Sequence, residues 1–126
     1  MMGLLNGLIG NASEVSLEKI TEDYEKILTE SEKIEHAYKL IRDLFIFTNK
    51  RLILIDIQGL TGKKIEYLSI PYRSITHFTI ETSGNFDLDA ELKIWIIGMS
   101  ESPIQKKFNR SLNIYELQSI LAHYVL

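Results

Sequence analysis

The chain contains no cysteine. That excludes disulfides, thiolate nucleophiles and cysteine-based metal sites, and is compatible with a reducing compartment. An excess of positive charge is also missing: 14 Lys and Arg stand against 17 Asp and Glu, a net charge of -3. A nucleic-acid binder needs a basic patch to displace counterions from phosphates, so no nucleic-acid partner is expected. No apolar run reaches the roughly 20 residues that a membrane-crossing helix requires. Leu4, Leu5, Leu8 and Ile9 give a targeting-like start, but no Lys or Arg precedes Lys19, and Gly3, Asn6 and Gly7 interrupt the run. A signal peptide needs a basic flank and a longer apolar stretch, and Gly3 does not directly follow Met1 as a myristoylation signal demands. The expected location is cytoplasmic.

Catalytic signatures are absent as well. The sequence carries no GxSxG elbow and no Walker or Rossmann glycine pattern, and no two histidines have the HExxH spacing. His36, His77 and His123 lie on separate segments. Asp87, Asp89 and Glu91 alternate as residues on one strand face do, yet lack the dense glycine-containing loop of an EF-hand. They read as charges that keep an edge strand soluble. No enzyme activity, cofactor or metal is implied.

What is present is enough for one sizeable core: 126 residues, 45% hydrophobic and 25% charged. In residues 1–14 the apolar positions 4, 5, 8 and 9 recur at helical spacing. They form either a frayed tail or a short amphipathic helix that docks on its own domain or on a neighbouring subunit. Ser16 is placed to cap a helix to about Thr29, with Leu17, Ile20, Tyr24, Ile27 and Leu28 as its apolar stripe and carboxylates early in it.

From Lys33 the pattern turns to alternation. Ile34, His36, Tyr38 and Leu40 share one parity, and further strands are predicted at 44–48, 51–57, 63–70, 74–82, 90–98 and 104–109. Turn chemistry separates them at Thr48-Asn49-Lys50, at Gln58 to Gly62, at Pro71, at Ser83-Gly84-Asn85 and at Glu101-Ser102-Pro103. A closing helix at about 113–125 presents Ile114, Leu117, Ile120, Leu121 and Tyr124 on one face, with Asn113 and Glu116 at capping-box spacing. Seven short strands without intervening helices imply a mainly β, antiparallel open barrel or sandwich, capped by the C-terminal helix. The expected layout is an N-terminal helical extension, 1–30, followed by the β domain, 31–126.

Three segments carry a family resemblance: FIFTNKRLILID at 45–56, GLTGKKIEYLSIPYRSI at 59–75 and FDLDAELKIWI at 86–96. With the C-terminal IYELQSILAHYVL, they resemble the bacterial pleckstrin-homology (PH) domains, long a family of unknown function. The resemblance implies a PH-like barrel and a cyclic, ring-like homo-oligomer. Eukaryotic PH domains bind phosphoinositides, peptides or proteins, but fold analogy transfers none of these ligands.

The residues themselves raise the question of assembly. Leu52 and Leu54 occupy one parity of their strand, and Ile53, Ile55 and Ile57 the other; Leu92, Ile94 and Ile96 oppose Trp95 and Ile97 in the same way. Two apolar faces require cover on both sides. The cover is expected from the helix at 16–29, the N-terminal segment or another copy. The candidate oligomer interface is therefore Leu4, Leu5, Leu8, Ile9, Trp95 and Ile97, since tryptophan is enriched at binding hot spots. The expected partners are a second copy of the chain and an unidentified protein. The alternative is a phospholipid-headgroup module using Lys39, Arg42 and Arg51. Asp43 beside Arg42 and the overall acidity disfavour membrane binding.

Overall fold

In a computed structural model of the chain, the residues described are 14–39, 43–82, 90–98, 103–108 and 114–126. Helix α1 spans Glu14–Tyr24 and tightens into a 3-10 turn at Glu25–Ile27. The strands are β1 (Ile34–Lys39), β2 (Leu44–Thr48), β3 (Arg51–Gln58), β4 (Lys64–Pro71), β5 (Ile75–Thr82), β6 (Ala90–Ile96) and β7 (Ile104–Phe108). A second 3-10 turn, Tyr72–Ser74, separates β4 from β5, and helix α2 covers Ile114–Val125. The strands form two antiparallel sheets, β1-β2-β3-β4 and β5-β6-β7. Two compact units result, the first ending at Ile70 and the second starting at Pro71.

In the first unit, every residue of β2 is buried, and so are Leu52, Ile53, Leu54 and Ile55 of β3. Both parities of β3 are therefore covered within one chain. Of the covers expected for this strand, one from within the chain accounts for Leu52 to Ile55. In β1, a register shift between Ile34 and His36 breaks the simple alternation. Beyond it Ala37 and Tyr38 are consecutive and regularly paired with Ile46 and Phe45, and both have zero exposure because both faces of the sheet are covered there.

Helix α1 also differs from expectation. Its described part already starts at Glu14, so the position predicted as its cap, Ser16, falls within it. The α-helix ends at Tyr24, the 3-10 turn carries the chain to Ile27, and Leu28 is already extended (φ -84°, ψ 147°). A turn follows in which the Glu32 amide donates to the Thr29 carbonyl (3.1 Å), with Ser31 at φ 69°. Between β3 and β4, Gly59 (φ 80°) and Gly62 (φ 68°) supply the left-handed conformations that L side chains resist.

In the second unit, Ala90, Leu92 and Ile94 alternate inward along β6, with Ala90 opposite Phe108 and Ile94 opposite Ile104 of β7. Leu117, Ile120 and Leu121 of α2 are buried at i, i+3, i+4 spacing, and the helix packs on β5 and on the 3-10 turn at 72–74. There Tyr72 stacks on Tyr124 with centroids 4.6 Å apart and planes 16° from parallel. Pro71, at φ -60°, leads the strand into that turn. The capping residue Asn113 lies outside the described residues.

Leu92 has no exposed surface, whereas Leu60 at the tip of the β3–β4 turn is fully exposed. Leu92→Ala should therefore lower the unfolding free energy by about 3 kcal/mol through lost burial and a residual cavity. Leu60→Ala should change it by less than about 0.5 kcal/mol. Urea titrations at one fixed protein concentration compare the two; equal effects would contradict the assigned core.

Candidate functional site

The densest polar constellation is built where the β2–β3 turn meets the segment that follows α1. Glu32 has a fully buried side chain, and Arg51 meets it in two bonds: Nε to Oε2 at 2.8 Å and Nη2 to Oε1 at 2.9 Å. Such a two-point pairing suits the planar guanidinium. The remaining carboxylate capacity is taken by the Thr29 amide (2.9 Å) and hydroxyl (3.3 Å) on Oε1, and by the Thr48 hydroxyl (2.6 Å) on Oε2. The Thr48 oxygen in turn accepts the amides of Lys50 (3.0 Å) and Arg51 (2.9 Å), so its one proton and two lone pairs are all used. Asn49 grips the same segment: its Oδ1 accepts from the Lys33 amide (2.8 Å), its Nδ2 donates to the Ser31 carbonyl (3.1 Å), and its own amide donates to the Lys33 carbonyl (3.1 Å). Arg51 also donates to the Ile27 carbonyl and to Ser69 Oγ on β4 (2.8 Å).

Burial alone would raise the Glu32 pKa. The hydrogen bonds from Arg51, Thr48 and Thr29, together with the Arg51 charge, outweigh burial and bring it to about 2. Chemically the arrangement binds and orients backbone; it leaves no carboxylate oxygen to act on a ligand. Sequence reasoning missed Glu32. It is 19 positions from Arg51, and no local spacing marks it.

The sequence-predicted residues are distributed as follows. Leu4, Leu5, Leu8, Ile9 and Arg42 lie outside the described residues. Lys39 is exposed at the end of β1, and Arg51 is engaged as above. Trp95 is half-buried on β6 and stacks on His77 of β5, centroids 4.4 Å apart and planes 13° from parallel. Ile97 is 68% exposed, with its amide donating to the Ser74 carbonyl (2.8 Å). Trp95 and Ile97 are thus brought to one end of the second sheet. Glu91 pairs with Lys93 at 3.9 Å, while Asp87 and Asp89 lie outside the described residues. Among the described residues, no group of three or more His, Asp or Glu could hold a metal ion, and no helix is long and apolar enough to cross a membrane.

A further feature is strand β4, at the edge of the first sheet. Every residue from Lys64 to Ser69 is exposed, including Ile65, Tyr67 and Leu68, which point to both faces. Only Ile70 is buried. Tyr67 meets Tyr24 of α1 edge-on at 6.4 Å, and burial pushes the Tyr24 phenol upward in pKa, helped by Tyr67 and Asp23. The sequence signal was available, since Ile65-Glu66-Tyr67-Leu68 places apolar residues on both parities.

The profile of the bacterial PH domain family matches residues 3–125. The uncharacterised protein YjqA of Bacillus subtilis (strain 168) is 54% identical over 121 residues, spanning 96% of this chain and 97% of its own. YozO of the same strain, also uncharacterised, is 33% identical over 101 residues, spanning 80% and 85%. Among solved structures, a PH domain from Shewanella amazonensis SB2B superimposes with a TM-score of 0.83 at 52% identity, covering 98% of this chain and 99% of that one. A protein from Shewanella loihica PV-4, from a family of unknown function and containing a PH domain, gives 0.78 at 46% identity, covering 87% and 93%.

Because the Glu32 pKa is lowered from 4.5 to about 2, the unfolded chain binds its proton first as pH falls. The stability this carboxylate contributes is complete above pH 4.5 and is lost as pH drops through about 2. Glu32→Gln should flatten that part of the stability–pH curve. Arg51→Met should cost about 3–5 kcal/mol at neutral pH, because it strands a buried charge. Chemical denaturation across pH 2–7 reads both, and an unchanged acid slope in Glu32→Gln would refute the assignment.

Proposed function

Since the chain belongs to the bacterial PH domain family, we propose that it is a non-enzymatic, cytoplasmic scaffold module that self-associates, in a cyclic arrangement, and presents a surface to a protein partner. The observation that carries this reading is the partly exposed apolar surface of β4, Ile65, Tyr67 and Leu68, in a chain whose β2 is wholly buried. Contiguous exposed apolar residues on a small domain mark interaction surfaces. The exposed Ile97 beside the half-buried Trp95 adds a second apolar contact of the kind that interfaces use.

The engagement of Arg51 favours protein over lipid. Its guanidinium is committed to Glu32, Ile27 and Ser69, so it is not available to a phosphate headgroup without breaking a buried pair. Of the two candidate headgroup cations among the described residues, Lys39 alone is then left exposed, against a net charge of -3.

Light scattering at micromolar concentration should give one sharply defined oligomer mass, and a monomer there would overturn the proposal. Trp95→Glu, or charged replacements in the Leu4–Ile9 cluster, should lower that mass if those residues lie in the contact. Anionic liposomes at low salt, where screening is weakest, should not retain the protein; salt-sensitive retention would favour a lipid-binding role instead.

A further inference from the structure

Resting on the reading that the chain receives a protein partner, we infer that helix α1 is a displaceable lid on one face of the first sheet, and that the partner element this face accepts is an amphipathic helix. Strand parity defines the face. In β3 it carries Arg51, Ile53 and Ile55; Ile53 lines up with Ile46 of β2 and Ala37 of β1, and Ile55 with Leu44 and Lys39. Ala37, Ile46, Ile53 and Ile55 have no exposed surface, and Leu44 is buried beside them.

Three contacts seat α1 on this face. The helix packs on β1. Its Tyr24 meets Tyr67 of β4 edge-on, and Tyr67 shares the parity of Ser69, which the Arg51 guanidinium reaches from β3. Arg51 also donates to the Ile27 carbonyl, where the 3-10 turn ends. Because β1 and β4 are the two ends of the sheet, α1 is in touch with both of them.

The lid is weaker than the face beneath it. Among the described side chains of α1 only Ile20 is buried; Tyr24 is half-buried, as is Ile27 in the turn, while Glu18, Lys19, Glu22 and Asp23 are exposed. At 11 residues, α1 is shorter than isolated helices that hold in water, so it keeps its form only on the sheet. Its base is pinned by Arg51, and the 3-10 turn at Glu25–Ile27 stands between that pin and the helix. Such breaks serve as hinges, and elements with few buried contacts are the ones that open locally.

What α1 uncovers is a surface already fitted to a helix. Ile20, Tyr24 and Ile27 stand at i, i+4 and i+7, so the ligand presents three apolar residues at that spacing, as helix-in-groove partners do. Lys39, exposed on the same face, favours a helix with acidic flanks like those of α1.

The probe is a labelled peptide with the sequence of residues 14–28, followed by fluorescence anisotropy. Ile20→Ser in the full chain weakens the lid and should tighten peptide binding at least about tenfold over the wild type, because apparent affinity follows the open fraction. A cooperative urea transition checks that this variant stays folded. The same peptide carrying Ile20→Asp should not bind. The chain lacks cysteine, so Tyr24→Cys with Tyr67→Cys can be joined by a short bis-maleimide; the unjoined chain should bind the peptide and the joined chain should not. No binding to folded Ile20→Ser, or equal binding before and after joining, would overturn the lid. Light scattering on the same samples keeps the two readings apart. An oligomer that takes no peptide overturns the lid alone, and a monomer that takes it supports the lid while overturning self-association.

Discussion

A single buried carboxylate organises the first unit. Glu32 brings together the end of the 3-10 turn through Arg51 and Ile27, the turn at Thr29 to Lys33, the β2–β3 connection through Thr48, and β4 through Ser69. A charge without solvent is tolerated only when every lone pair is answered, and here five donors converge on two oxygens. The Thr-Asn-Lys-Arg segment is therefore more than a hairpin connection. Its threonine and arginine hold the carboxylate while its asparagine holds the backbone on either side of it.

That arrangement changes the meaning of a basic residue in this fold. Arg51 stands at the start of a strand in a PH-like domain, where a cation invites a reading as a phosphate ligand. Its bonding shows a structural counter-ion instead. Apolar side chains left exposed at β4 and at Ile97 are what the proposed scaffold role rests on.

The strands were legible from alternation and turn residues to within one or two positions, because sheet periodicity and Gly, Pro and Asn punctuation are local signals. Two features were not. Ala37, which simple alternation assigns to the polar side, is buried because both faces are covered beside β2, and an alanine leaves little compositional mark of that. Glu32 was invisible because its partner lies 19 residues away, and a glutamate among Glu30, Ser31 and Lys33 looks like ordinary surface. The double-sided apolar pattern of β3 correctly implied cover on both faces. Periodicity reports that a face is buried, not which chain buries it.

The bonds between Asn49 and the segment Ser31–Lys33 have a consequence for how such chains vary in length. Adding or removing a residue between Ile27 and Lys33 would slide Glu32 out of reach of Arg51 while Asn49 still holds Lys33. The connector therefore has a fixed length, as a hinge pin does. The tip from Gly59 to Gly62, with Leu60 standing out in solvent, carries no such constraint. Insertions that leave the fold intact are thus channelled to one end of the first sheet and barred from the other.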